Sequence, residues 1–143
     1  MAVDPTRLIG TWKLVSYVIE HADGRVNRIA MGESPYGRLI YTADGNMLAQ
    51  ISAPGRRNFA KSFLMGATPG EAKSATDTYL AYGGTWRVEG NQVIHSVEAG
   101  LFPNWVGGEQ IRTVTWQGEC LVLSTPVMER AQGHVIARLT WQR

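Results

Sequence analysis

Residues Arg38-Leu-Ile-Tyr-Thr42 and Met47-Leu-Ala-Gln-Ile51 flank Ala43-Asp44-Gly45-Asn46. Two runs rich in β-branched, aromatic and other apolar residues around an Asp-Gly pair form the strongest short-range hairpin signal, because glycine supplies the positive φ that a tight turn needs. The same grammar recurs along the chain. Gly10–Glu20 reads as a strand ending in the turn Ala22-Asp23-Gly24, and Thr85–Glu89 and Gln92–Glu98 flank Gly90-Asn91. Gln110–Trp116 turns through Gln117-Gly118-Glu119 into Cys120–Thr125, and Val135–Trp141 follows a break at Pro126 and a turn at Gly133. Residues 25–37, punctuated by Gly32, Pro35 and Gly37, read as a loop or a short edge strand. Strands joined in succession by tight turns favour an up-and-down antiparallel arrangement. Closing it into a barrel removes exposed edges, and about eight strands leave room for one small ligand. A β-sandwich is the alternative architecture.

One segment breaks the pattern. Residues 53–84 lose β-branched character and fill with Ala, Lys, Glu, Phe, Leu and Met. Phe59, Phe63 and Leu64 share one face of a helix, and Thr68-Pro69-Gly70-Glu71 has the form of a capping box with proline at the first helical position. Ala72, Ala75, Tyr79 and Tyr82 continue at spacings of three, four and three, and Gly83-Gly84 ends the run. These signals predict a helical insertion around residues 56–82 that covers or closes one end of the barrel.

Composition narrows the function. The chain has 143 residues, enough for a single domain over 1–143, with 44% hydrophobic and 18% charged residues. A formal charge of +2, with Arg56-Arg57 the only adjacent basic pair, points away from nucleic acid or an anionic membrane as partner. Cys120 is alone, so it forms no internal disulfide and reads as a buried thiol packed like a small hydrophobe. The N-terminus has no signal-peptide pattern, and no apolar run approaches the roughly 20 residues of a membrane span. The expectation is a soluble cytoplasmic protein, with a homodimer left open. There is no phosphate-binding glycine loop, nucleophile elbow or Cys/His cluster, and His21, His95 and His134 lie far apart. No metal and no cofactor are expected.

The candidate site lies in the stretch from His95 to Arg112. On its strand, His95 shares the more apolar face with Val93 and Val97, so it should look into the barrel, with Glu98 facing away or at the rim. An imidazole there could work as a general acid or base, or line the cavity as a neutral hydrogen-bonded group. Gln110, Arg112, Val114 and Trp116 share a face of the next strand. A buried Arg112 requires a partner: Glu98, Glu109, or a carboxylate or enolate on a ligand, whose planar shape its guanidinium fits. Phe102-Pro103-Asn104-Trp105 makes the corner between the strands, with Trp105 over the open end. Tyr41, Gln50, Tyr79 and Tyr82 are further candidates for ligand contact, and Met31, Met47 and Met65 read as gap-filling core.

Two resemblances carry further expectations. Gly10-Thr11-Trp12 resembles the Gly-x-Trp element of lipocalins, which implies that Trp12 plugs the closed end of a barrel beneath an arginine, here Arg138 or Arg143. Leu8–Ser16, Leu39–Met47, Tyr82-Gly-Gly-Thr-Trp86, Val93–Gly107 and Gln110-x-Arg112 together resemble the short bacterial and fungal lipocalin-like domain proteins over nearly the whole chain. The chain lacks the disulfide pair and Thr-Asp-Tyr element of secreted lipocalins, so transport of an extracellular ligand does not carry over. The leading expectation is a module that binds a small hydrophobic or amphipathic molecule with His95 and Arg112 as polar anchors. A second is a cofactor-free isomerase, cyclase or dehydratase of a polyketide- or terpenoid-like substrate, with His95 moving a proton and Arg112, Gln110 or a tyrosine stabilising an oxyanion; this rests on analogy of fold. A third is a structural or partner-binding domain with a collapsed lumen.

Overall fold

The computed structural model describes residues 2–131 and 133–143. In chain order its strands are β1 (Gly10–His21), β2 (Val26–Asn27), β3 (Tyr36–Tyr41), β4 (Asn46–Ser52), β5 (Tyr79–Glu89), β6 (Gln92–Gly100), β7 (Glu109–Gln117), β8 (Cys120–Ser124), β9 (Met128–Arg130) and β10 (Gly133–Gln142). A single α-helix among the described residues, α1 (Pro69–Asp77), precedes β5. The antiparallel order β1-β3-β4-β5-β6-β7-β8-β10 returns to β1, which pairs with β10, so the sheet closes into an eight-stranded barrel. The sandwich alternative is thereby excluded. The short β2 and β9 extend the rim as partners of β1 and β10.

Two bulges make closure possible. In β1 the register against β10 slips between Leu14 and Ser16, leaving Val15 as the extra, outward residue. The slip turns Trp12 and Leu14 inward before it and Tyr17 and Ile19 inward after it, and lets one long strand bend from β3 towards β10. The second bulge lies between β5 and β6, where Gly83 pairs with Ala99 but Gly84 pairs with Val97. Glu98 is the extra residue and faces solvent. A Cβ at Gly84 would overlap the Ser96 carbonyl oxygen, so the close approach of the two backbones demands glycine there.

The floor of the barrel is built on Trp12. Its indole N–H donates to the Leu8 carbonyl at 2.8 Å, and its ring packs near Trp116 in a core that includes Leu8, Val93 and Leu121. Of the two arginines weighed for the outer side of this plug, Arg143 takes the place. Its guanidinium lies 4.2 Å from the Trp12 ring centre and donates to the carbonyls of Ile9 and Arg7. Arg138 instead bonds Glu20 and Ser124. Gly10 has φ +130°, and a Cβ there would run into the Arg143 guanidinium, which accounts for glycine two residues before the tryptophan.

The helical insertion is shorter than the periodicity predicts. The capping box forms: Thr68 Oγ1 accepts from the Glu71 N–H and Glu71 accepts from the Thr68 N–H. The helix ends at Asp77, and Thr78 leaves helical geometry while donating its hydroxyl to the Ser74 carbonyl. Tyr79, Tyr82, Gly83 and Gly84 therefore belong to β5, where Tyr82, Gly84, Trp86 and Val88 alternate on the inner face. The spacing of the two tyrosines fits either period, and pairing with β4 from Ser52↔Tyr79 to Asn46↔Thr85 decides for the strand. Residues 56–63 hold no helix; Phe63, Leu64 and Met65 are exposed, so neither a packed helical face nor a core role for Met65 is realised. The helix packs against β5 without lining the barrel cavity, and so does not close its end. Cys120 begins β8 half-buried, more open than a core thiol.

Candidate functional site

Above the tryptophan floor the lumen keeps a cavity of about 120 Å³. Each barrel strand contributes to its wall: Tyr17, Leu39, Ala49, Tyr82, His95, Arg112, Leu123 and Leu139 come from β1, β3, β4, β5, β6, β7, β8 and β10 in turn. Trp105, from the corner between β6 and β7, stands edge-on to Tyr82 with ring centres 5.4 Å apart, and Arg130 of β9 borders the mouth. The lumen is thus neither collapsed nor open water. His95 and Arg112 do border the same space.

Tyr41 and Tyr82 hold His95 between them. Tyr41 Oη lies 2.6 Å from His95 Nε2, and Tyr82 Oη lies 2.6 Å from Nδ1. All three side chains are buried, and Tyr41 also packs on Trp86. Burial, aided by the nearby positive charge of Arg112, lowers the His95 pKa from its ordinary 6.5 to about 3. Burial likewise pushes the Tyr41 phenol well above its ordinary 10.0 and raises that of Tyr82. The three groups are therefore neutral at physiological pH. A base with a conjugate acid near pH 3 is poorly matched to proton transfer around neutrality, and both ring nitrogens are already engaged.

The depressed histidine pKa has a consequence for stability. The unfolded chain takes up the His95 proton as pH falls through 6.5, whereas the folded protein resists until about 3. Stability contributed by neutral His95 is therefore present above the unfolded pKa and is lost as pH falls. The expected loss between pH 7 and pH 5 is about 2 kcal/mol. Urea unfolding across that range measures it, with Tyr41→Phe/His95→Leu/Tyr82→Phe as a control that lacks the titrating ring; an equal loss in the control would refute the assignment.

Arg112 is half-buried with only neutral partners. It donates to the Ile111 carbonyl at 2.9 Å and to Gln110 Oε1 at 3.3 Å. Among the described residues no carboxylate lies within ion-pair distance of it. Glu109, expected as a partner, pairs with Arg87 on the outer surface, and Glu98 faces solvent. Among the described residues no Asp or Glu borders the cavity, and no cluster of three or more His, Cys, Asp or Glu is placed to hold a metal ion.

The remaining sequence candidates divide by face. Gln50 and Tyr79 are bonded to each other at 2.8 Å beside a shallow groove outside the barrel, away from the lumen. Val97 points inward but is packed in the core without bordering the cavity. Phe102 and Asn104 are exposed at the corner, where Phe102 packs on Trp105. Gln110 reaches the site only through Arg112. Sequence reasoning missed Tyr17, Thr125, Met128, Arg130 and Trp141 as cavity-bordering residues. The alternation Val135, Ala137, Leu139, Trp141 carried a signal for the last of these; the three-residue β9 carried none.

A closed antiparallel barrel with an enclosed, mostly apolar cavity and a few converging polar groups defines a class, the small β-barrels that accommodate a small molecule. Residues 9–143 match the model of the lipocalin-like domain family, and the chain belongs to that family. It is 36% identical over 87 residues, covering 55% of this chain and 78% of the relative, to the 4'-hydroxy-3'-methoxypropiophenone carrier protein ppsC of Aspergillus oryzae. Among solved structures, a lipocalin-like protein from Bacteroides uniformis aligns over 96% of this chain and 98% of its own, with 14% identity and a TM-score of 0.47. An uncharacterized protein from Bacteroides eggerthii aligns over 95% and 98%, with 13% identity and a TM-score of 0.45. No helix among the described residues is long and apolar enough to cross a membrane.

Proposed function

We propose that this protein binds and carries, in its barrel cavity, a small, largely apolar molecule bearing a carbonyl or anionic oxygen. The observation that carries this reading is Arg112, a cation bordering an apolar cavity with no carboxylate to balance it. An unpaired charge in such a place is costly, and a ligand oxygen that completes its coordination recovers the cost. The carrier protein ppsC, a relative named for an aromatic ketone, supports the same reading. Carriage rather than turnover is favoured because His95, the one histidine at the cavity, is poorly suited to acid–base work near neutral pH.

The test is a thermal-shift and calorimetric screen of small aryl ketones and phenols, with native mass spectrometry of the freshly purified protein for a retained ligand. A ligand that raises the melting temperature is expected. Arg112→Gln should weaken that ligand by about 10- to 100-fold, the range for losing a charge-assisted hydrogen bond, with little effect on unliganded stability. Unchanged affinity in Arg112→Gln would remove the anchor, and a screen without any stabilising ligand would remove the function.

A further inference from the structure

We propose that the cavity selects a single aromatic ring bearing an oxyanion, such as a phenolate, and that the Tyr82 hydroxyl is the specificity-determining donor to that oxygen. This inference rests on the binding reading above and adds the protonation state of the ligand and the residue that enforces it.

A neutral imidazole has one N–H and one acceptor nitrogen. With a tyrosine at each nitrogen, one tyrosine donates its O–H to the ring, and the other accepts the ring N–H and keeps its own hydrogen free. The two arrangements are unequal. If Nε2 carried the proton, the spare O–H would be that of Tyr41, which is 1% exposed, bonds only to His95, and does not border the cavity. A buried donor without an acceptor is penalised. If Nδ1 carries the proton, Tyr41 donates to Nε2, Nδ1–H donates to Tyr82, and the spare O–H belongs to the tyrosine that borders the cavity. The low pKa of His95 and the raised pKa values of both tyrosines keep this count intact across the neutral range. Tyr41 and His95 are then positioning residues, turning the Tyr82 hydroxyl into a donor committed to the ligand.

The other groups facing this space agree in sign. Arg112 and, at the mouth, Arg130 are donors only, and the indole N–H of Trp141, whose side chain borders the same cavity, is buried with no partner. Thr125 Oγ1 already accepts from the Ala137 N–H, the Tyr82 oxygen already accepts from the imidazole, and Tyr17 is the one other titratable group on the wall. Surplus donors and two arginines, neither paired with a carboxylate among the described residues, suit a ligand that accepts and is negative. A neutral phenol would bring a further donor to a wall already rich in donors. Size sets the ring count, since a cavity of about 120 Å³ is close to the roughly 150 Å³ that holds one benzene.

The experiment compares 4-nitrophenol with 4-nitroanisole, the same ring with its oxygen methylated, binding to the wild type and Tyr82→Phe at pH about 8.5. The phenolate is expected to bind at least about tenfold tighter than the anisole to the wild type, and the phenolate absorption band of the bound probe should persist at least about one pH unit lower than in water. Tyr82→Phe keeps the ring packed on Trp105 and should cut the phenolate-over-anisole preference about tenfold. Nitrogen-15 NMR of the ligand-free wild type should place the His95 proton on Nδ1. Equal binding of the two probes, a preference untouched by Tyr82→Phe, or an Nε2–H tautomer would overturn the inference. Anisole binding without a phenolate preference would leave the cavity reading standing, whereas no binding of either probe would count against both.

Discussion

Replacing His95 by leucine is expected to destabilise the protein by about 2–6 kcal/mol, because it strands two buried phenolic hydroxyls at about 1–3 kcal/mol each. The loss comes from the partners left behind, not from the imidazole itself. The diagnostic result is therefore a recovery. Tyr41→Phe/His95→Leu/Tyr82→Phe, which removes all three polar groups and keeps three apolar side chains of similar shape, should be more stable than His95→Leu alone. Urea unfolding of the two variants decides it. If the triple variant is the less stable, the cluster is held together chiefly by packing, and the hydrogen-bond account of its geometry fails. Ligand affinity should move the other way, since the triple variant lacks the Tyr82 hydroxyl.

Trp12→Ala should cost about 3–5 kcal/mol, the range for truncating a large buried aromatic. The change opens the floor of the barrel, removes the donor to the Leu8 carbonyl, and takes away the surface on which Arg143 rests. Part of the loss should be shared with that arginine. In a double-mutant cycle, Trp12→Ala and Arg143→Ala should be non-additive by about 0.5–1 kcal/mol, reflecting the cation–π contact. Strict additivity by chemical denaturation would show that Arg143 acts only through its bonds to Arg7 and Ile9.

The inward direction of His95 followed from alternation along β6, and that of Arg112 from alternation along β7, because both strands are regular where they pair. Trp105 at the mouth followed from the Pro103-Asn104 corner. The three-residue spacing of Tyr79 and Tyr82 predicts a helix, but the deciding force, pairing with β4, lies outside the segment and makes both residues strand. Gln50 alternates outward with Tyr79, beside the groove outside the barrel. Glu98 owes its exposure to a bulge that Gly84 permits, and Arg130 reaches the cavity mouth on a strand too short to show a period.

Turn chemistry, strand alternation, the capping box and the Gly-x-Trp plug are encoded within about ten residues each, so the strands and the barrel class could be read from the chain alone. The meeting of Tyr41, Tyr82 and His95 could not. Tyr41 lies 54 positions and Tyr82 13 positions from the histidine they share, on three different strands. Their heights in the lumen depend on the register of each pairing and on two bulges, and one slipped residue would turn any of them to the outer face. Closure then removes water from all three at once. That burial, which no local stretch of sequence records, makes the histidine neutral, leaves Arg112 uncompensated, and gives the cavity its surplus of donors.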